Sequence, residues 1–360
     1  MNADTLRARF DAPDELGIGI EEELFLLDPE TLDLLPRARE VLERVDGDAR
    51  FKLEMPAAQL EIVTPPCPDL ASAIASLAAA RRDLAVAAEP HGRLMTAGAH
   101  PFTAELGVLT DDPRYVRTLD EYGERARRQL VAGLHLHISL GGADRTLAVY
   151  NAMRSYLPEV AALAANAPFY GGRDTGLASI RPTIAVYLQR QGVPPLIPTW
   201  EWMADALTWG EISDTVPDPR KWWFELRLHA TYGTLELRVP DAQSSIDDVH
   251  GVAAYAFGLI RWLAARFDAG ETLPVADDWR IEENRWAAMR DGVAGTLADL
   301  ETGERVNTRE LLSSRLDALP PGPGLAHARA LVAENGAIRT RAVAADAGVR
   351  GVTAWLTERF

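Results

Sequence analysis

Three adjacent glutamates, Glu21, Glu22 and Glu23, stand inside the apolar run GIGIEEELFLL at residues 17–27. Strand side chains alternate between two faces. Read this way, Ile18, Ile20, Glu22, Leu24 and Leu26 share one face, and Gly17, Gly19, Glu21, Glu23 and Phe25 share the other. Two carboxylates one pleat apart repel each other and are costly to bury unpaired, so the second face calls for water or a cation. Glu22 falls among apolar side chains, which predicts a bulge or a local partner. The same pattern recurs in three later segments. QLEIV puts Gln59 and Glu61 on one face, GLHLHISL puts His135 and His137 on one face, and TLELRV puts Glu236 and Arg238 on one face.

Taken singly, each segment reads as an ordinary strand with one wet face, and Glu236 with Arg238 reads as a surface ion pair of little energetic weight. Their recurrence favours a shared site. His-x-His on a strand is a zinc half-site, but no further soft ligand accompanies it. Carboxylates from three strands make an oxygen-rich set, which suits Mg²⁺ or Mn²⁺, and Mg²⁺ is usually recruited with substrate phosphates. The arginines fit that chemistry. Arg173 and Arg181 flank the glycine-rich stretch 166–182, and Arg227 and Arg238 lie on strands. A planar guanidinium matches carboxylate or phosphate oxygens two at a time. The P-loop, the dinucleotide G-x-G-x-x-G in a strand-to-helix setting and the G-x-S-x-G elbow are all missing.

The elements that must position these groups are legible in outline. Strands are predicted at 17–27, 58–66, 93–102, 133–140, 222–229 and 233–243, the last two joined by a turn near Tyr232 and Gly233. Helices are predicted at 69–89, 114–131, 144–165, 199–208 and 247–267, with a mostly helical remainder after 277 broken at LPPGPG, residues 319–324. Amphipathic strands without a strict βαβ rhythm favour an antiparallel sheet in an α+β fold. The 360 residues show no compelling boundary, so one catalytic domain is expected over 1–360, with about 300–360 a helical extension of it. The net charge of −16 argues against nucleic-acid binding. No apolar run is long enough to span a membrane, and no signal-peptide pattern opens the sequence, so a cytoplasmic location is the default expectation. Cys67, alone between two prolines, reads as a small turn residue.

Six collinear segments resemble the carboxylate–amine ligases of the glutamate–cysteine ligase type 2 family. They are GIGIEEELFLLDPET, QLEIVTP, GLHLHISL, ANAPFYGGRDTGLASIRP, PRKWWFELRLHATYGTLELRVPDAQ and EENRWAAMRDG, spread over about residues 15 to 295. The chain departs from the familiar pattern at Ala167, where a hydroxyl is missing, and at Ala287, where an arginine is missing. The resemblance implies a fold like the glutamine synthetase catalytic domain, a cupped antiparallel sheet with helices on its outer side. It also implies ATP and Mg²⁺ (or Mn²⁺), and ligation of the γ-carboxylate of glutamate or a similar acid to an amine, typically that of cysteine, through an acyl phosphate. By resemblance, Glu21, Glu23, Glu61 and Glu236 hold metal, with Glu54 a weaker candidate. Arg238 and Arg181 act on substrate or phosphoryl charge. His135, His137, Arg173 and Arg227 bind substrate or nucleotide. The resemblance also implies a homo-oligomer, with a homodimer as one form. The rival readings are a phosphotransferase that stops at the acyl phosphate or phosphorylates a guanidino group, a metal-dependent hydrolase built on His135 and His137, and a non-catalytic nucleotide-binding homologue.

Overall fold

The structure, a computed structural model, describes residues 1–12, 17–103 and 106–360. Its centre is an antiparallel seven-stranded sheet. The strands are β1 (Ile18–Leu27), β2 (Phe51–Leu53), β3 (Gln59–Val63), β4 (Arg93–Met95), β5 (Leu134–Ile138) and, after a small hairpin of β6 (Phe169–Tyr170) and β7 (Arg173–Asp174), β8 (Leu226–His229) and β9 (Thr234–Leu237). The order across the sheet is β2-β3-β1-β5-β9-β8, with β4 pairing the C-terminal half of β1. This is the α+β class that the strand pattern predicts.

Alternation decides what each face does. Ile18, Ile20, Leu24 and Leu26 of β1, Leu60 and Ile62 of β3, and Leu134, Leu136 and Ile138 of β5 enter one large core. Helices Leu70–Ala88 and Ile246–Asp268 pack against that side. Asp69 caps the first by accepting from Ser72 N–H at 2.8 Å, and Ser245 caps the second by accepting from Asp248 N–H at 3.2 Å. The opposite face is polar in its middle and closed at one end. There Phe25 and Leu27 pack with Met95, Val352 and Leu356, so the last helix, Gly336–Glu358, covers the far end of β1.

Several elements differ from the sequence reading for identifiable reasons. The predicted helix 144–165 divides into Ala143–Met153 and Leu157–Ala164 around a 3₁₀ turn, because Pro158 lacks the N–H that a continuous helix needs. The predicted helix 114–131 divides into Pro113–Tyr122 and a short turn, Glu124–Arg127, at Gly123, whose φ of +58° leaves the helical region. The glycine-rich stretch carries the β6–β7 hairpin, and the helical C-terminal part includes another, β10 (Thr296–Ala298) with β11 (Arg305–Asn307). LPPGPG does separate two helices, Thr308–Ala318 and Leu325–Ala333. Cys67 is buried, and its backbone bridges Ile18. Among the described residues, no helix is long and apolar enough to cross a membrane.

Candidate active site

Strand register assembles the polar face. Glu23 stands opposite Glu61, which stands opposite Lys52. Glu21 stands opposite His135. His137 stands opposite Glu236, which stands opposite Arg227. Residues directly opposed in an antiparallel pair lie on the same face. Groups far apart in sequence, such as Glu21 and His135, therefore become neighbours.

The distances are those of one cluster. His135 Nδ1 is 3.5 Å from Glu21 Oε2, and His135 Nε2 is 3.8 Å from Glu23 Oε1. His137 Nε2 is 3.4 Å from Glu21 Oε1 and 3.9 Å from Glu236 Oε1. Glu23 Oε2 also accepts the Gly133 N–H at 2.6 Å. Two overlapping sets, Glu21–His135–Glu236 and Glu23–Glu61–His135, bring ligand atoms within 4.8 Å of one another. The Nε2 atoms of His135 and His137 are buried without a hydrogen-bond partner. Buried polar atoms are normally satisfied, so these two nitrogens point to something that the protein alone does not supply.

The electrostatics divide the carboxylates. Burial pushes Glu61 well above the usual carboxylate range, and the charges of Glu54 and Glu21 add to the effect. Burial, then the Glu23 charge, pushes Glu54 up to about 8. Lys52 Nζ, 3.3 Å from Glu61 Oε2, is a partial counterweight. Burial would also raise Glu21 and Glu236. In Glu21 the close approach of His135 and His137 more than offsets it, and in Glu236 the charges of His137, Arg238 and Arg227 do so. Both stay below the usual range. His135 is lowered by burial and by the Arg238 charge. The face therefore carries more buried negative charge on β1 and β3 than its own cations neutralise.

The arginines separate into distinct duties. Arg227 grips the Glu236 carboxylate through Nε and Nη2, and Arg238 Nη1 donates to Glu236 Oε1 at 2.6 Å. Arg181 lies at the edge of the cluster. Its Nη1 and Nη2 donate to the carbonyls of Val239 and Arg238 at 3.2 and 3.1 Å, so its hydrogen bonds go to the backbone. A Cβ at position 133 would collide with Arg181 Nη2 and lie 2.8 Å from His135 Nε2, which explains a glycine there. Arg173 is elsewhere. It is exposed on the β6–β7 hairpin, with no hydrogen bond or ion pair to the cluster among the described residues.

Some supporting residues escaped the sequence reading. Glu22, on the core face, is fully buried and bound by Arg81 through Nε at 2.7 Å and Nη2 at 2.5 Å. Its predicted local partner thus comes from the helix Leu70–Ala88, and β1 continues through Glu22 without a bulge. Arg81 follows Leu70, Ile74 and Leu77 on the helix's apolar stripe. A lone charge there was a readable signal that an opposite charge waits in the core. Thr234 Oγ1 meets His137 Nδ1 at 3.0 Å. Asp241 accepts from Asn166 N–H at 2.8 Å and Ser179 Oγ at 3.0 Å, tying the glycine-rich stretch to the end of β9. Arg285 and Glu225 form a buried two-point ion pair beside β8.

An antiparallel sheet backed by helices, with clustered carboxylates, imidazoles and guanidiniums on its open face, defines the class as α+β proteins with a polar site on the sheet. Solved structures share the fold. The glutamate–cysteine ligase of Francisella tularensis, in complex with AMP, superposes with a TM-score of 0.68 at 10% identity, over 96% of this chain and 89% of that one. A bifunctional glutathione synthetase from Pasteurella multocida gives 0.66 at 16% identity, over 99% of this chain and 53% of that one. The profile of glutamate–cysteine ligase family 2 (GCS2) matches residues 17–349, and the chain belongs to that family. The match runs well beyond residue 295, into the last helix. Similar chains include a "Putative glutamate–cysteine ligase 2-3" of Rubrobacter xylanophilus, 35% identical over 88% of this chain and 86% of that one. A "Putative glutamate–cysteine ligase 2-1" of Frankia casuarinae is 32% identical over 86% and 84%.

Proposed function

We propose that this chain is an ATP-dependent carboxylate–amine ligase that joins the γ-carboxylate of glutamate, or of a similar acid, to an amine through an acyl phosphate, with L-cysteine the first acceptor to test. One observation carries the reading: on a single face, Glu21, Glu23, Glu61 and Glu236 surround His135, whose Nε2 is buried without a hydrogen bond.

The donor set fits a hard divalent cation. Glu21, Glu23 and Glu61 would hold Mg²⁺ or Mn²⁺, with His135 as the nitrogen ligand and Glu236 at the margin, since two arginines already grip it. When bound, such a cation offsets the repulsion between a carboxylate and the ATP phosphates and stabilises the transferring phosphoryl group. Arg238 is anchored by Glu236 at the edge of the cluster, where its remaining N–H groups suit the γ-phosphoryl oxygens or the acid. Arg181 fixes the backbone that carries Arg238. Attack of the acid's carboxylate on the γ-phosphorus expels ADP. The amine nitrogen then forms the amide, losing a proton, and phosphate leaves with the electrons of the C–O bond.

The test is release of ADP and phosphate from Mg²⁺-ATP with L-glutamate, with and without L-cysteine, and then with other amines. Equal ADP and phosphate only when acid and amine are both present is the expected result. Turnover with glutamate and another amine keeps the mechanism and replaces the acceptor. ATP-independent hydrolysis, or ATP binding without turnover, sinks the ligase in favour of the hydrolase or the non-catalytic homologue.

A further inference from the structure

The polar face has two unlike ends. One is sealed by the last helix on Phe25 and Leu27. At the other, β1 presents Gly17 and Gly19 on the same face as Glu21 and Glu23, so β1 itself carries no side chain there, and His137 of β5 stands opposite Gly19. The β8–β9 turn lies at the same end of the face, across β5 from β1. His229, facing the same way as Arg227, lies under Tyr232, with ring centroids 4.4 Å apart and planes 9° from parallel. Both rings also contact His137, at 5.3 Å and 5.8 Å between centroids. Burial lowers His229 to about 4, so the lower ring is neutral and serves as a flat support. Tyr232 is 58% exposed although its partner ring is buried, leaving its outer face open. An exposed aromatic held parallel on a buried one, at the mouth of a charged site, is built to stack another planar ring. His137, in contact with Tyr232, has its Nε2 3.4 Å from Glu21 Oε1, so a ring on Tyr232 and phosphate oxygens at the carboxylates fall within reach of one ligand.

We propose that Tyr232, supported by His229, is the stacking platform for the nucleobase of the triphosphate co-substrate, and that nucleotides are held here by the face of the base. This rests on the nucleotide-dependent reading above. Stacking reads a π-surface and tolerates base identity, so GTP should replace ATP with only a modest loss, whereas inorganic tripolyphosphate should gain nothing from Tyr232. Calorimetric titration of Mg²⁺-ATP and Mg²⁺-tripolyphosphate into wild type, Tyr232→Ala, Tyr232→Leu and Tyr232→Phe tests this. Expected are an ATP Kd about tenfold or more weaker in the Ala and Leu variants, near-wild-type binding in the Phe variant, and tripolyphosphate binding alike in all four. ATP binding unchanged in Tyr232→Ala and Tyr232→Leu overturns the platform and leaves the ligase reading standing. Equal weakening of ATP and tripolyphosphate also overturns it, because Tyr232 then acts on the phosphates through His137. Wild type that binds neither probe overturns both proposals.

Discussion

Glu23 and Arg238 are the residues on which the proposed chemistry is most exposed to test. Glu23 lies between Gly133 N–H and His135, and Glu23→Gln keeps its size while removing the charge that a cation needs. The expected result is a fall in turnover of about tenfold or more with an unchanged melting temperature; near-normal turnover would remove Glu23 from the site. Arg238→Lys keeps the charge and loses the planar fork. It should lower kcat and raise the KM for the acid, and an unchanged pair of constants would refute the role. Gln59, Glu61, His135, His137, Glu236 and Arg238 were all legible by alternation, because a strand's two-residue period shows which side chains share a face. Lys52 and Thr234 were not, since only strand register shows which residue of a neighbouring strand stands opposite.

At the scale of elements, the buried Glu22–Arg81 pair fastens the helix Leu70–Ala88 to the strand that carries the glutamates. Removing one partner leaves an uncompensated buried charge, at a cost of about 3–5 kcal/mol. Arg81→Met and Glu22→Gln should each lower the urea midpoint sharply, and the double replacement Glu22→Leu with Arg81→Met should recover much of the loss. Single variants as stable as wild type would show that the pair contributes little. The loop after β4 contains a second such device. His100 is buried, its Nε2 bonded to Leu32 carbonyl at 2.9 Å, while Nδ1 accepts from Phe102 and Thr103 N–H at 3.2 and 3.0 Å. Those contacts require the neutral ring, and burial lowers its pKa from 6.5 to about 4. The unfolded chain binds the proton first, so this contribution is full above about pH 6.5 and is lost as pH falls towards 4, by about 3 kcal/mol. The urea midpoint should therefore fall less steeply from pH 6.5 to 5 in His100→Gln than in wild type. Parallel slopes would contradict the assignment.

For the whole molecule, the polar face concentrates buried carboxylates that a bound cation would neutralise together. A ligand that binds the folded state alone stabilises it by mass action, by about 2.7 kcal/mol at a hundredfold excess over Kd. Mg²⁺ or Mn²⁺ should accordingly raise the melting temperature, and Glu61→Gln should diminish the rise. A melting temperature indifferent to both ions at millimolar concentration would argue that the face holds no cation. The C-terminal helix matters at this scale too. By covering Phe25 and Leu27 it closes one end of the face and leaves the β8–β9 turn as the open one.

The amino-acid sequence by itself determined the strands, their polar and apolar faces, the main helices and the conflict posed by Glu22, because periodicity and turn chemistry are local. It also carried the six segments that placed the chain among carboxylate–amine ligases. Tertiary structure alone decided which charges meet: that Arg81 answers Glu22, that Arg227 and Arg238 converge on Glu236, that Arg181 serves the backbone, and that Arg173 stands apart on its hairpin. The reason is physical. Pairing across strands and helices depends on register and packing between residues far apart in the chain, and a one-dimensional pattern does not contain those distances.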